Sequence, residues 1–460
     1  QFAFYGGYCL MAIPAALFLR RFNYKRSILV GLALYVLGCL LFLPAGGAVR
    51  FELFLVAYFV MTCGLSFLET TANPYILSLG PPETATRRLN FAQAFNPIGS
   101  LTGMLVATHF ILKKLESNTG AGLEVLDKIS PEKIAMLAGH ERFKENPAIK
   151  AVVESATSGS FSEKLDAYYN ANPFAPVPKS ETVRAALDVA DANAFLVSQN
   201  ADINVIMLPY IILGIVVACV FAYFFFARLP GSETECEKVN DPKLQVGPTL
   251  KRLFKNGAYL QGVVAQAFYV GVQIMCWTFI IHYAVKEFNL PKSDAQSWNT
   301  VAMVTFVSSR FICTYLLKYV SPGGLLAALA MGGGALILGV MFIPASAGFA
   351  VPFTTGLSGN FLPLGLASLV AVSACMSLMF PTIYGIALRD LGDDAKLGSA
   401  GLILAIGGGA IFTPIQGWII DQKIDFLGLN SMRFSFVVAL VCFIVIAAYG
   451  LRTKLVHHAK

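Results

Sequence analysis

The sequence predicts an all-α membrane protein that crosses the bilayer many times. Three observations lead there. Hydrophobic residues make up 56% of the chain and charged residues only 13%, against roughly a quarter charged in an average globular chain. Apolar stretches of about 20 residues recur, each long enough to cross the ~30 Å hydrocarbon core. Lysine and arginine gather in alternate short connections: Arg20, Arg21, Lys25 and Arg26; Arg87 and Arg88; Lys238, Lys243, Lys251, Arg252 and Lys255; Lys318; Arg389 and Lys396; Arg452, Lys454 and Lys460. The intervening short connections hold only Arg50, Lys286, Lys292, Lys423 and Arg433. That asymmetry marks the first set as cytoplasmic. It accounts for the net charge of +7 without nucleic acid. The runs are continuous, which excludes a β-barrel of alternating segments of ~10 residues.

Spans are expected at about 1–19, 27–45, 52–80, 90–112, 204–228, 256–284, 296–318, 325–345, 363–388, 398–420 and 431–451. The chain opens inside an apolar run, with no initiator Met, basic leader or cleavage site, so a signal peptide is not expected. An odd number of spans with a cytoplasmic RTKLVHHAK tail puts residue 1 outside. We therefore expect eleven spans here, the first of twelve being missing.

Two connections divide the chain. Residues 113–203 are far longer than an ordinary connection. They carry both charge signs and a helix-start cue at Ser130-Pro131, where Ser can cap and Pro suits the first turn. Alternation places them outside, as a partly ordered cap rather than a catalytic domain. Residues 229–255 read as a cytoplasmic linker. The expected layout is a first bundle over 1–112 and 204–228, the outer insertion 113–203, the linker, and a second bundle over 256–460.

Weak internal repeats support two halves. LRRFNYKRSILVGLAL answers LLKYVSPGGLLAALAM, and NPYILSLGPPETATRRLN answers FPTIYGIALRDLGDDAKLGS. Repeated halves around a midplane site are typical of secondary transporters.

The chemistry centres on Glu69, the one acid deep within an apolar span. An ionisable side chain in a bilayer is costly and usually faces a partner or water. Desolvation disfavours its charged form, which permits protonation near neutral pH. Thr62, Ser66, Glu69 and Asn73 share one helix face, and Gln93, Asn96 and Ser100 share another. The amides of Gln93 and Asn96 suit hydroxyl groups, although amides also join membrane helices. Farther on, Gln266, Tyr269 (or Val270), Gln273 and Trp277 recur at helical spacing. Such a stripe suits a sugar, whose C–H faces pack on rings while its hydroxyls bond amides; it also suits plain packing. Phe380-Pro381 is placed to line the cavity from the second half. Arg310 sits inside a span near its cytoplasmic end. It is expected to snorkel or pair with a loop acid, as a structural or gating residue. The Gly-rich run Gly398 to Gly409, with Pro414, permits close packing and bending.

The nine cysteines form no C-x-x-C, so neither a disulfide framework nor a zinc site is expected. No Walker A pattern is present. No nucleophile–base set or cofactor fingerprint points to an enzyme.

The strings LETTANPYILSLG, RRLNFAQAFNPIGS, AQAFYVGVQIMCWTFIIHYAVKE and SLMFPTIYGIALRDLGDDAKLGS closely resemble the L-fucose/proton symporters of the major facilitator superfamily. The resemblance runs through nearly all the spans and fails across 113–203. It implies two six-helix halves that take up a deoxy-sugar with a proton by alternating access. It makes Glu69 the proton-coupling acid, Gln93 the site glutamine, and Gln273 with Trp277 the family's Q-x-x-x-W. The family carries a second acid in a first helix that this chain lacks, so proton stoichiometry is left open. Its tenth-helix aromatic is typically Tyr, where this chain has Phe380. Glucose/galactose relatives share ANPY and AQAFN but lack the acid and the Trp-bearing helix. The expectation is thus a monomeric importer of L-fucose with a proton in a bacterial inner membrane, needing no cofactor or metal. The alternatives are a glucose/galactose carrier and a non-transporting membrane sugar sensor.

Overall fold

A computed structural model describes residues 2–129, 137, 146–154, 159–172, 177–230, 246–288, 290, 292–350, 361–426 and 428–458. Ser130-Pro131 and linker residues 231–245 lie outside the described residues. The first helices are α1 (Phe2–Arg21), α2 (Tyr24–Ala48), α3 (Phe51–Ser78), α4 (Ala85–Gln93), α5 (Asn96–Val106) and α6 (Lys113–Asp127). Then come α7 (Pro147–Glu154), α8 (Phe161–Ala171), α9 (Lys179–Ala190), α10 (Ala192–Phe226), α11 (Val246–Lys255), α12 (Gly257–Phe288) and α13 (Lys292–Leu316). The last are α14 (Pro322–Phe342), α15 (Leu364–Met376), α16 (Met379–Ala387), α17 (Ala395–Leu404), α18 (Gly408–Asp421), α19 (Ser431–Phe434) and α20 (Val437–His458). Nine helical stretches among the described residues are long and apolar enough to cross a membrane. Helices also occupy the remaining expected positions, at α1 and α13.

Several expected spans are broken. The stretch 90–112 divides into α4 and α5, then passes through a π-turn at Ala107–Leu112 and runs on into α6. The second and third breaks fall between α15 and α16 and at the 3₁₀ turn Ala405–Gly407 between α17 and α18. Proline explains the first two, since Pro97 and Pro381 cannot donate to the carbonyl four residues back. Glycine serves the third: a Cβ on Gly408 would strike the Ala267 carbonyl of α12, so only Gly allows that approach. One short antiparallel pair, Gly348–Ala350 with Phe361–Pro363, departs from the all-α expectation.

Contacts divide the chain into two compact units. One comprises Phe42–Arg50 and Thr102–Ile212. Its core gathers Leu123, Leu126, Ile149, Phe161, Leu165, Val183 and Leu187. A reciprocal Ser160–Glu163 capping box starts α8, satisfying donors that a helix start leaves bare. Arg184 pairs with Asp202. The rings of Phe42 and Tyr210 stack at 3.8 Å.

The other unit comprises Gln1–Leu41, Phe51–Leu101 and Leu213–Lys460. Within it α1 packs on α3 and α17, α12 packs on α16, α18 and α20, and α14 packs on α15 and α20. A cluster around Tyr8, Ala12, Ala16, Leu89, Tyr384, Leu402 and Ile403 ties the early helices to the late ones.

Candidate functional site

The polar stripe of α3 separates into two jobs. Thr62 bonds the Phe59 carbonyl of its own helix at 2.9 Å, and Ser66 bonds the Tyr8 carbonyl of α1 at 3.0 Å. Those two hydroxyls are fully buried and serve packing. One and two turns farther on, half-buried Glu69 and buried Asn73 line a cavity. Asn73 Nδ2 donates to Glu69 Oε2 at 2.8 Å. From α4, Gln93 Nε2 reaches Asn73 Oδ1 at 2.7 Å and Glu69 Oε2 at 3.4 Å. Asn96 Nδ2 reaches Gln93 Oε1 at 3.4 Å. One carboxylate and three amides thus form a continuous chain, half-buried and bordered by two cavities.

The first cavity, of about 250 Å³, is lined by Glu69, Gln93, Asn96, Ser100, Tyr269, Gln273, Trp277, Arg310 and Phe380, among others. The second, of about 290 Å³, is lined by Leu65, Leu68, Ala72, Asn73 and Ile76, and shares Glu69, Gln93 and Asn96. Every proton, sugar and gating candidate therefore borders one of these spaces. Trp277 is held by an Nε1 bond to Ser373 Oγ at 3.4 Å and by an edge contact with Phe306 at 5.0 Å. Phe380 lies 6.2 Å from the ring of Tyr269. The Tyr269 side chain is fully buried, with its hydroxyl beside the Arg310 guanidinium.

Two sequence expectations are corrected. Gln266 does not join its stripe in the cavity; it is fully buried elsewhere on α12 with both amide atoms unpartnered. Arg310 neither snorkels nor meets a loop acid. It is 4% exposed, its guanidinium stacks 4.6 Å from the Phe306 ring, and it donates to two main-chain carbonyls. Nε reaches Ser377 O at 2.5 Å, and Nη1 reaches Gln93 O at 3.0 Å. Those carbonyls stand four residues ahead of Pro381 and Pro97, the two residues that cannot serve them. A buried carbonyl needs a partner, and the cation supplies one to both. The same logic recurs at Pro74: the Thr70 carbonyl, bared four residues earlier, accepts from Ser399 Oγ at 3.2 Å.

Tyr5, Tyr8, Phe306 and Ile406 also line the first cavity and are absent from the sequence-based expectations. Tyr5 and Tyr8 stand three apart on α1, a helical spacing that is visible in the sequence but hard to pick out of a uniformly apolar run.

On the face of the basic loops the early and late helices are tied together. Asn90 Nδ2 donates to Thr382 Oγ1 at 3.2 Å, and Arg20 Nη2 donates to Thr249 Oγ1 at 2.8 Å. Arg252 grips Asp394 through Nε at 2.8 Å and Nη2 at 2.7 Å, the two-pronged geometry that suits Arg and carboxylate. These hydrogen bonds hold the Asp394 carboxyl below its ordinary range.

Residues 1–114 match the family model of the Major Facilitator Superfamily. The chain is 42% identical to the L-fucose-proton symporter of Haemophilus influenzae, covering 98% of this chain and 86% of that protein. It is 30% identical to the L-fucose-proton symporter of Escherichia coli, covering 98% and 83%. The crystal structure of the transporter FucP in the outward conformation superposes with a TM-score of 0.70 at 28% identity, over 98% of this chain and 88% of that one. A chain with this fold and this degree of likeness belongs to the L-fucose-proton symporter family of the Major Facilitator Superfamily.

Proposed function

We propose that this protein imports L-fucose together with a proton across a bacterial inner membrane, by alternating access. The observation that carries this reading is the convergence of Glu69, Gln93, Asn96, Tyr269, Gln273 and Trp277 on one cavity. The symporter relatives support it.

Each group has a role in that scheme. Glu69 takes up a proton while the cavity is open to the outside, and neutralisation removes the cost of carrying a bare carboxylate through the bilayer. Gln93, Asn96 and Gln273 offer both donors and acceptors to the sugar hydroxyls. Asn73 holds the Glu69 carboxylate toward Gln93, so that sugar bound at Gln93 and proton bound at Glu69 are felt by one hydrogen-bond chain. Trp277 and Phe380 present ring faces to the C–H surface of the sugar, and the 6-methyl of a deoxy-sugar suits such an apolar wall. Release on the other side requires the ties on the basic-loop face to part.

In this reading the helices of 1–112 and 204–228 and those of 256–460 form the two halves that rock about the site, and the protein works as a monomer. Its C-terminus faces the cytoplasm with the basic loops. Uptake of labelled L-fucose into vesicles holding the full chain tests the proposal. Uptake that rises with an inward proton gradient supports it. Uptake indifferent to that gradient, or a preference for glucose or galactose in a competition panel, overturns it.

A further inference from the structure

We propose that a groove between α4 and α13 is a binding site for an anionic phospholipid. Its cavity, of about 470 Å³, is lined by Arg87, Arg88, Phe91, Phe311, Thr314, Tyr315 and Lys318. Three of these side chains are cationic, three are aromatic, and among the described residues no carboxylate lines the groove.

The two walls are built by helical spacing. Arg87, Arg88 and Phe91 fall on one side of α4, while Phe311 and Tyr315 stand four apart in the last turns of α13 and Lys318 follows in the turn beyond it. Arg88 is fixed: its guanidinium donates to the carbonyls of Leu77 and Pro81 and to Thr84 Oγ1. Arg87 and Lys318 stand at the rim, where each reaches the surroundings. Phe91 and Tyr315 present more than half of their surface to the surroundings. Lys318 Nζ sits 5.6 Å from the Tyr319 ring.

Cations above rings, between two membrane helices, match a lipid: its phosphate lies at the arginine and lysine rim while its acyl chains run over the aromatic wall. Basic pockets of this kind attract anionic headgroups, each cation adding about fivefold near the surface. The groove lies on the face where the short-loop cations gather, where anionic lipid is most strongly attracted. A lipid seated there touches both an early and a late helix.

The test uses the purified full chain with phosphatidylglycerol or phosphatidylcholine at equal concentration, bound lipid being counted by native mass spectrometry. The expected result is selective retention of phosphatidylglycerol, weakened about 30-fold in Arg87→Gln/Lys318→Gln and unchanged in the control Arg26→Gln/Lys454→Gln. A second variant, Tyr315→Glu, sets a negative charge at an exposed position of the groove and produces a comparable loss. Equal retention of the two lipids, undiminished retention by both groove variants, or displacement by glycerol phosphate alone would each overturn the assignment. None of these readouts depends on sugar transport.

Discussion

Arg310 donates to the main-chain carbonyl of Gln93 at 3.0 Å, so the cation of the cavity is bound to backbone rather than to the acid. Among the described residues no ion pair involves Glu69. The relationship follows from sequence, because Pro97 leaves the Gln93 carbonyl without its helical donor, just as Pro381 leaves that of Ser377. The cation thereby holds α13 to α4 and to the break before α16.

This arrangement ranks substitutions of Arg310. A hydrogen bond to a charged group contributes about 1.5–3 kcal/mol, and Arg310→Gln forfeits that on two buried carbonyls. Lysine carries the charge but not the rigid fork, so Arg310→Lys retains one contact. Thermal unfolding in detergent should order the proteins as parent, Lys variant, Gln variant. A Gln variant as stable as the parent would show that the two carbonyls need no such donor.

Ser399 and Pro74 make a second test. Ser399→Ala bares the Thr70 carbonyl only while the helices are tied together, which disfavours the tied state by about 1 kcal/mol, or roughly fivefold in population. A cysteine introduced at Thr86, which on α4 packs against Gly385 of α16, should be alkylated correspondingly faster in a background without other reactive thiols. Pro74→Ala restores an N–H to the carbonyl, so the serine substitution should matter less in that background. Equal effects in both backgrounds would rule out the proline gap as the cause.

Trp277 is one of three tryptophans in the chain, and it lines the first cavity. Sugar binding should change the intrinsic fluorescence, and the change should vanish in Trp277→Phe. Loss of the larger ring weakens binding by about 0.5–1.5 kcal/mol, roughly two- to tenfold. A signal that persists in the variant would locate the sugar elsewhere.

Much of the candidate site is legible in the sequence, and the reasons are physical. Glu69 stands out because a carboxyl is costly in an apolar run and is kept there where it meets a partner or water. Gln93, Asn96, Gln273 and Trp277 follow from helical spacing, which survives in a membrane helix unchanged. Gln266 shares that spacing yet is turned away from the cavity, because spacing fixes a face but not which neighbour covers it. Arg310 escapes a reading from sequence because side-chain length suggests snorkelling, whereas the deciding partners are carbonyls bared by prolines on other helices. The breaks at Ala94–Phe95 and Ser377–Leu378 follow the same rule, with the prolines in plain view.

The pair Arg252 and Asp394 supplies a pH prediction. The hydrogen bonds from Arg252 depress the Asp394 carboxyl below its ordinary 3.8. A depressed carboxylate contributes stability that is complete above the unfolded value and is lost as pH falls through the folded one. Across pH 5 to 8 this tie should therefore stay intact, and the pH dependence of transport in that window should be the same in Asp394→Asn as in the parent. A profile displaced by this substitution would mean that the tie itself senses protons.

The most direct measurement concerns Glu69. In vesicles holding Glu69→Gln, labelled L-fucose should exchange across the membrane with unlabelled sugar, yet never accumulate above its outside concentration when an inward proton gradient is imposed. Uphill accumulation by that variant, at the parent's level, would contradict the role of Glu69 as the group that couples the proton to the sugar.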